Sequence, residues 1–249
     1  MNKIILSTPF TGKTPWGDGF SGQDWYEFRA EIFKEFTIKS IIKQTDKRFL
    51  WWIQFRPEER HNPVTKEIEK ALINARISYT MTFHGPMIVE DEATWHNDDL
   101  IERVEKSMVY IKPLVSFFEY IYEVNLDSDD LIHKDFVKTL REEPFRENGA
   151  MYCKDGYIWQ LPDKVAKWHN PDSNQNYTIM YPNEIYLDPV KKYKYQNGLK
   201  SHEEVPKLFN AKEMKGMYCT LTHDTNVSTI WDHHFRGEEV DKKILKDFL

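Results

Sequence analysis

An α/β fold with a mostly parallel central sheet is what this sequence predicts, on three observations. Short aromatic and β-branched runs alternate with amphipathic helical stripes through the first half of the 249 residues. Aromatic residues make up 14% of the chain, ample material for a sheet covered on both faces. Charged residues at 30% and only 10 Gly exclude a disordered or low-complexity chain. The second half departs from the alternation and reads as a mixed, β-rich region.

Taken in order, residues 3–7 form a short buried strand, and a loop bearing Gly and Pro spans residues 11–22. Trp25, Phe28, Ile32 and Phe36 recur at three- and four-residue spacing, which predicts an amphipathic helix. Residues 49–55 are a second strand, apolar enough to be covered on both sides. Val64, Ile68, Leu72 and Ala75 mark another helix, and residues 79–83 a third strand. Ile101, Val104 and Met108 mark a further helix, residues 120–126 a fourth strand, and residues 131–143 a helix. This order places helices on both faces of the sheet.

In the second half, residues 150–153 and 157–161 flank Lys154-Asp155-Gly156 and predict a β-hairpin. Residues 162–176, with two Pro and several Asn and Asp, read as an exposed loop. Residues 177–181 and 217–222 read as strands, with a helix over 203–209 between them. Val240, Ile244, Leu245 and Phe248 predict an amphipathic C-terminal helix. There is no internal repeat and no linker, so a single domain over 1–249 is expected.

A formal net charge of −6 gives no global positive field to recruit nucleic acid. Cys153 and Cys219 make no disulfide framework and no Cys-x-x-Cys pair. The apolar opening is too short for a signal peptide or a membrane span. A cytoplasmic protein is the expectation.

The residues richest in chemistry are Asp127-Ser128-Asp129-Asp130, directly after the fourth strand. In an extended segment, side chains at i and i+2 leave the same face, so Asp127 and Asp129 can converge on one hard cation. Mg²⁺ or Mn²⁺ held by one or two carboxylates keeps positions open for phosphate oxygens. Such a site suits an enzyme that holds a diphosphate and stabilises it as it leaves. In open parallel sheets, ligands sit beyond the carboxyl ends of the strands, which is where this cluster falls. Acidic clusters at strand ends also serve as caps and solvated turns.

Ser7-Thr8-Pro9-Phe10-Thr11-Gly12-Lys13-Thr14 nearly matches a phosphate-binding loop, with Ser7 where Gly belongs. That motif must open a helix, and Pro15 with Gly17 and Gly19 opposes one. A loop near the ligand, with Thr8 as a contact, is the better reading.

Three stretches, namely residues 25–33, residues 37–45 (Thr-Ile-Lys-Ser-Ile-Ile-Lys-Gln-Thr) and residues 49–53, resemble the opening of rhamnosyltransferase-like glycosyltransferases. Those enzymes are similar to the GT-A class. Residues 124–136 resemble that family's Asp-x-Asp-Asp metal-binding segment, with Asn125 where Arg is usual. Residues 222–228 resemble its late His-x-x-Asn segment. The resemblance implies a GT-A-like sandwich whose residues 1–140 bind a nucleotide-sugar donor, UDP preferred, and whose residues 141–249 bind the acceptor. It implies Asp127 at the donor ribose or metal, Asp129 on a Mn²⁺ or Mg²⁺ ion, Asp130 supporting the site or facing the sugar, and His223 as a third ligand. The reaction implied is sugar transfer to a hydroxyl acceptor: a saccharide, or a hydroxymethylated DNA base.

His202, His233 and His234 are further ligand candidates. Asp155, Asp163, Asp172 and Asp224 are the carboxylates from which a general base could come, with Asp224 beside His223. Trp159 and Trp168 are acceptor-site candidates, whereas Trp51, Trp52 and Phe55 read as core. Lys191-Lys192-Tyr193-Lys194-Tyr195 mixes cations and aromatics as single-strand nucleic-acid surfaces do, with a solvated loop as the default reading. Two rival readings stay open: phosphoryl transfer at residues 7–14, and a nucleotide- or saccharide-binding protein without turnover.

Overall fold

The structure, a computed structural model, describes residues 1–10, 22–84, 98–172, 176–196, 198–199, 201–223, 231–232 and 235–249. The first half contributes β1 (Asn2–Pro9), β2 (Phe49–Gln54), β3 (Tyr79–Thr82) and β4 (Tyr120–Asn125). Between them lie α1 (Gln23–Ile32), a π-helical turn (Phe33–Thr37), α2 (Ile38–Lys43), α3 (Pro63–Ala75) and α4 (Asp98–Val115). The rest supplies β5 (Asp130–Ile132), α5 (Phe136–Glu142), β6 (Gly149–Tyr152), β7 (Asp155–Gln160) and β8 (Lys164–His169). After these come β9 (Thr178–Pro182), α6 (Asn183–Tyr186), α7 (Pro189–Tyr195), α8 (Val205–Leu208), β10 (Asn210–Glu213), β11 (Tyr218–Thr222) and β12 (Arg236–Glu239).

Seven strands form one sheet in the order β10-β6-β9-β4-β1-β2-β3. All its pairings are parallel except those of β9, which runs against both neighbours. The mostly parallel α/β class with a mixed, β-rich second half is therefore the fold. Period-2 alternation builds the layers. Ile4 and Leu6 of β1, with Trp51 and Ile53 of β2, join a core formed with Phe33, Ile68 and Phe136. Ile5, Leu50 and Trp52 join the opposite core with Val104, Met108 and Tyr186. A second sheet, ordered β12-β8-β7-β11-β5, adds a third apolar cluster in which Leu131, Trp159, Val165 and Leu221 pack with Ile32 and Phe248.

Several expectations are corrected. The hairpin at Lys154-Asp155-Gly156 is absent: β6 lies in the first sheet and β7 in the second. Gly156 serves packing instead, because a Cβ there would sit 2.6 Å from the Tyr218 ring. The expected loop over 162–176 contains β8, which pairs antiparallel with β7. Trp159 and Trp168 are accordingly core residues, packing edge-on against Phe36 and Phe235. The helix expected from residue 131 starts at Phe136, since Asp130–Ile132 is drawn into pairing with β11. The C-terminal segment is a 3-10 helix over Lys242–Asp247.

The basic-aromatic run is α7 rather than a loop; Lys191 and Lys194 are exposed, whereas Lys192 is turned inward. Lys192 is buried, its ammonium 2.7 Å from Glu123 and 4.4 Å from the Tyr186 ring centroid. The Tyr195 hydroxyl accepts from the Asn148 N–H at 2.8 Å. Among the described residues, no helix is long and apolar enough to cross a membrane.

Candidate functional site at the carboxyl end of β4

The chain runs outward from β1 through β2 to β3, then returns to the other side of β1 as β4. The order therefore reverses between β1 and β4, and the crevice beyond the carboxyl ends of such a pair is where open α/β sheets bind ligands. The carboxyl end of β4 lies at that switch point. The Leu126 N–H donates to the Ser7 carbonyl at 3.0 Å, tying the exit of β4 to β1, and the turn Asp127-Ser128-Asp129-Asp130 comes next.

A polar stripe holds this turn from below. Thr37, Ser40 and Gln44, at i, i+3 and i+7 along the π turn and α2, are essentially fully buried. The Thr37 hydroxyl donates to the Ser128 carbonyl at 3.0 Å. The Ser40 hydroxyl donates to the Ile132 carbonyl and accepts from the Ile132 N–H, both at 2.9 Å. The Gln44 amide donates to the His133 carbonyl at 2.8 Å and accepts from the Val137 N–H at 3.0 Å. Buried backbone groups of an irregular segment need partners, and this stripe supplies them.

Asp129 is 6% exposed, ion-paired with Arg29, and its Oδ2 lies 3.2 Å from His223 Nε2. Burial works to raise its carboxyl, but the Arg29 guanidinium and His223 outweigh that and hold it down at about 2. Arg29 lies over the Trp25 ring, 5.5 Å from its centroid, and His223 lies 5.5 Å from the Phe28 ring. Asp130, buried in β5, accepts from the Asn176 amide at 2.7 Å. Burial, then the charges of Asp129 and Asp127, push its carboxyl well above the usual carboxylate range.

Asp127 is partly buried, and burial with the Asp129 charge pushes its carboxyl up to about 6. Because this folded-state value lies above the unfolded one of about 4, the contribution to stability is full below pH ~4 and lost as pH rises through ~6. Urea unfolding of the ligand-free protein is expected to show wild type losing stability relative to Asp127→Asn across that window. Parallel pH profiles of the two proteins would contradict the assignment.

These carboxylates are hard oxygen donors of the kind that hold Mg²⁺ or Mn²⁺. Burial and the neighbouring Asp129 carboxylate both disfavour a charged Asp127, a penalty that a cation held at this turn would relieve. Among the described residues, no group of three His, Cys, Asp or Glu side chains is placed to hold a metal ion.

Of the sequence candidates, Asp127, Asp129, Asp130 and His223 come together at the turn. Thr8 lies beneath the crevice, fully buried, its hydroxyl accepting from Trp51 Nε1 at 3.0 Å. Residues 7–9 are the end of β1, and the Ser7 hydroxyl accepts from Gln54 at 2.8 Å. Asp155 pairs with His169 at 2.6 Å and starts β7, five residues before Gln160, the partner of Thr222. At ~3.3 Å per residue it sits about 17 Å along the sheet from His223's end. Asp163 pairs with Lys242 and Asp172 with Lys207. His202 opens a 3-10 helix over His202–Glu204. Asp224, His233, His234 and residues 11–21, including Lys13, lie outside the described residues.

Arg29, Asn176 and the stripe Thr37, Ser40 and Gln44 were not singled out by sequence reasoning. The signal existed for most of them. Arg29 falls on the Trp25, Phe28, Ile32, Phe36 stripe, where a charge needs a buried partner. The stripe residues are polar at helical spacing beside Ile38 and Ile41. Asn176 carries no such mark.

No protein-family model matches the chain, and no curated protein does. Solved structures resembling it include S. aureus TarS 1–349, at 13% identity and TM-score 0.43, covering 89% of this chain and 60% of that one. The same TarS segment in complex with UDP gives 12% identity and TM-score 0.44, covering 89% of this chain and 61% of that one. The inositol-1-phosphate CTP transferase of T. maritima gives 12% identity and TM-score 0.37, covering 88% of each chain. The chain thus spans about three fifths of the TarS segments it matches.

Proposed function

We propose that the chain is a metal-dependent glycosyltransferase of GT-A type, moving a sugar from a nucleoside-diphosphate donor to a hydroxyl acceptor. The observation that carries this reading is the position of the acidic turn: Asp127 and Asp129 leave β4 at the β1–β4 switch point, on a scaffold built to hold them. Asp127 and Asp129 would hold Mn²⁺ or Mg²⁺, which when bound offsets charge on the departing nucleoside diphosphate. His223 orients Asp129 through their hydrogen bond. Asp130, its carboxyl pushed up by burial and tied to Asn176, fixes the start of β5 and so the turn's geometry. Asp224, next in the chain after His223, is the proposed base for the acceptor hydroxyl. Thr8 is assigned to the floor of the donor site, with the donor half over residues 1–140 and the acceptor half over 141–249. The acceptor class proposed is a saccharide.

The test is release of nucleoside diphosphate from UDP-, dTDP-, GDP- and ADP-sugars, with and without Mn²⁺ and saccharide acceptors. Metal-dependent release from one donor, raised by an acceptor, is expected. ATP hydrolysis without donor turnover would overturn the reading.

A further inference from the structure

Arg29 is the guanidinium that meets Asp129, and its placement is specific. It projects from α1, one turn after Trp25, and its side chain is 12% exposed. It lies over the Trp25 ring and ends on the Asp129 carboxylate. Among the described residues its buried Nε has no hydrogen-bond acceptor, so the fork is only partly used on the carboxylate. An Arg fork matches the paired oxygens of a phosphate as well as those of a carboxylate. A cation lodged on Asp129 also opposes a second cation at the same carboxylate, by Coulomb repulsion in a partly buried setting.

We propose that Arg29 is a positioning residue exchanged between two anions: it holds Asp129 when the site is empty, and passes to the donor diphosphate when Asp129 takes a divalent cation. The inference rests on the glycosyltransferase reading of the same site. It deepens that reading by stating why metal and diphosphate bind together. Either one alone must work against the Arg29–Asp129 pair, whereas both together replace it with two new ion contacts. Metal and nucleotide then share a coupling free energy that is reciprocal between them. The Trp25 ring is a platform that keeps the guanidinium stacked while its charged end changes partner.

The prediction is an effect of opposite sign on the two ligands. Mn²⁺ and UDP affinities, each measured alone and in the other's presence by calorimetry, are compared in wild type, Arg29→Gln and Arg29→Lys. In Arg29→Gln, Mn²⁺ alone is expected to bind about tenfold tighter, because a competing positive charge is gone. UDP with saturating Mn²⁺ is expected to bind about tenfold weaker, from loss of a fork contact to phosphate. Arg29→Lys keeps the charge and the apolar stem, so it guards against loss of fold. In it the UDP affinity still falls while Mn²⁺ affinity alone stays near wild type. A residue that merely shapes the turn would weaken both ligands together in Arg29→Gln, and that result overturns the exchange. UDP binding with Mn²⁺ at wild-type strength in both variants also overturns it, while leaving the glycosyltransferase reading standing. Absence of any Mn²⁺ or UDP binding by wild type overturns both.

Discussion

Asp129→Asn is expected to reduce donor turnover by about three orders of magnitude, the scale set by losing hold of the cation that would offset charge on the leaving diphosphate. The substitution keeps the volume of the side chain and its ability to accept from His223 and Arg29, so the turn retains its shape. What it removes is the negative charge. Arg29 is then left with a neutral partner, at an expected cost of about 2 kcal/mol in folding stability. Measured by nucleoside diphosphate release and urea unfolding together, the variant should be folded and inactive. Retained turnover within tenfold of wild type would remove Asp129 from the chemistry.

Breaking the Lys192–Glu123 pair is expected to have the largest effect on stability. Lys192 is 2% exposed and Glu123 partly buried, with the Tyr186 hydroxyl donating to Glu123 at 3.2 Å. The Lys192 ammonium faces Tyr186, Tyr181 and Trp52 at 4.4, 5.6 and 5.9 Å from their ring centroids. Lys192→Met replaces the stem but strands a carboxylate in an aromatic setting, and should cost about 3–5 kcal/mol. Lys192→Met combined with Glu123→Gln removes the stranded charge and should recover most of that loss. Urea unfolding of the two variants reads the difference directly. Equal destabilisation in both would show that packing, not charge pairing, is what α7 supplies.

The same lysine shows how far the sequence could be read. Lys192 sits in a run of alternating cations and aromatics whose composition suits an exposed nucleic-acid surface. Its actual use depends on Glu123, 69 residues earlier and in a different element, which no local pattern reveals. The first-half strands were legible because β1 and β2 are buried on both faces and carry apolar runs, while β4 is aromatic and β-branched apart from Glu123 and Asn125. The acidic turn was legible because its residues are adjacent in the chain. In α1 the spacing of Trp25, Phe28, Ile32 and Phe36 marked a real face, but not the one on the main core. Tyr26, Ala30 and Phe33 occupy the core, whereas Phe28 meets His223 and Phe36 meets Trp159. The π turn adds a residue to the helix and rotates α2 relative to α1, bringing Thr37 and Ser40 under the acidic turn. In the second half, Pro162 and Pro171 bracket β8 and disguised its alternation as loop. There, strand partners are set by which sheet a segment joins, and β6 and β7 diverge within two residues.

On the proposed function, metal and donor diphosphate meet at the carboxyl end of β4. The most direct measurement is a crystal structure of the protein with Mn²⁺ and UDP, using the anomalous signal of manganese to locate the ion. A manganese peak beside Asp127 and Asp129 is expected, with the Arg29 guanidinium moved from Asp129 onto a phosphate oxygen. A nucleotide bound away from the β1–β4 crevice, with Arg29 still on Asp129, would contradict it.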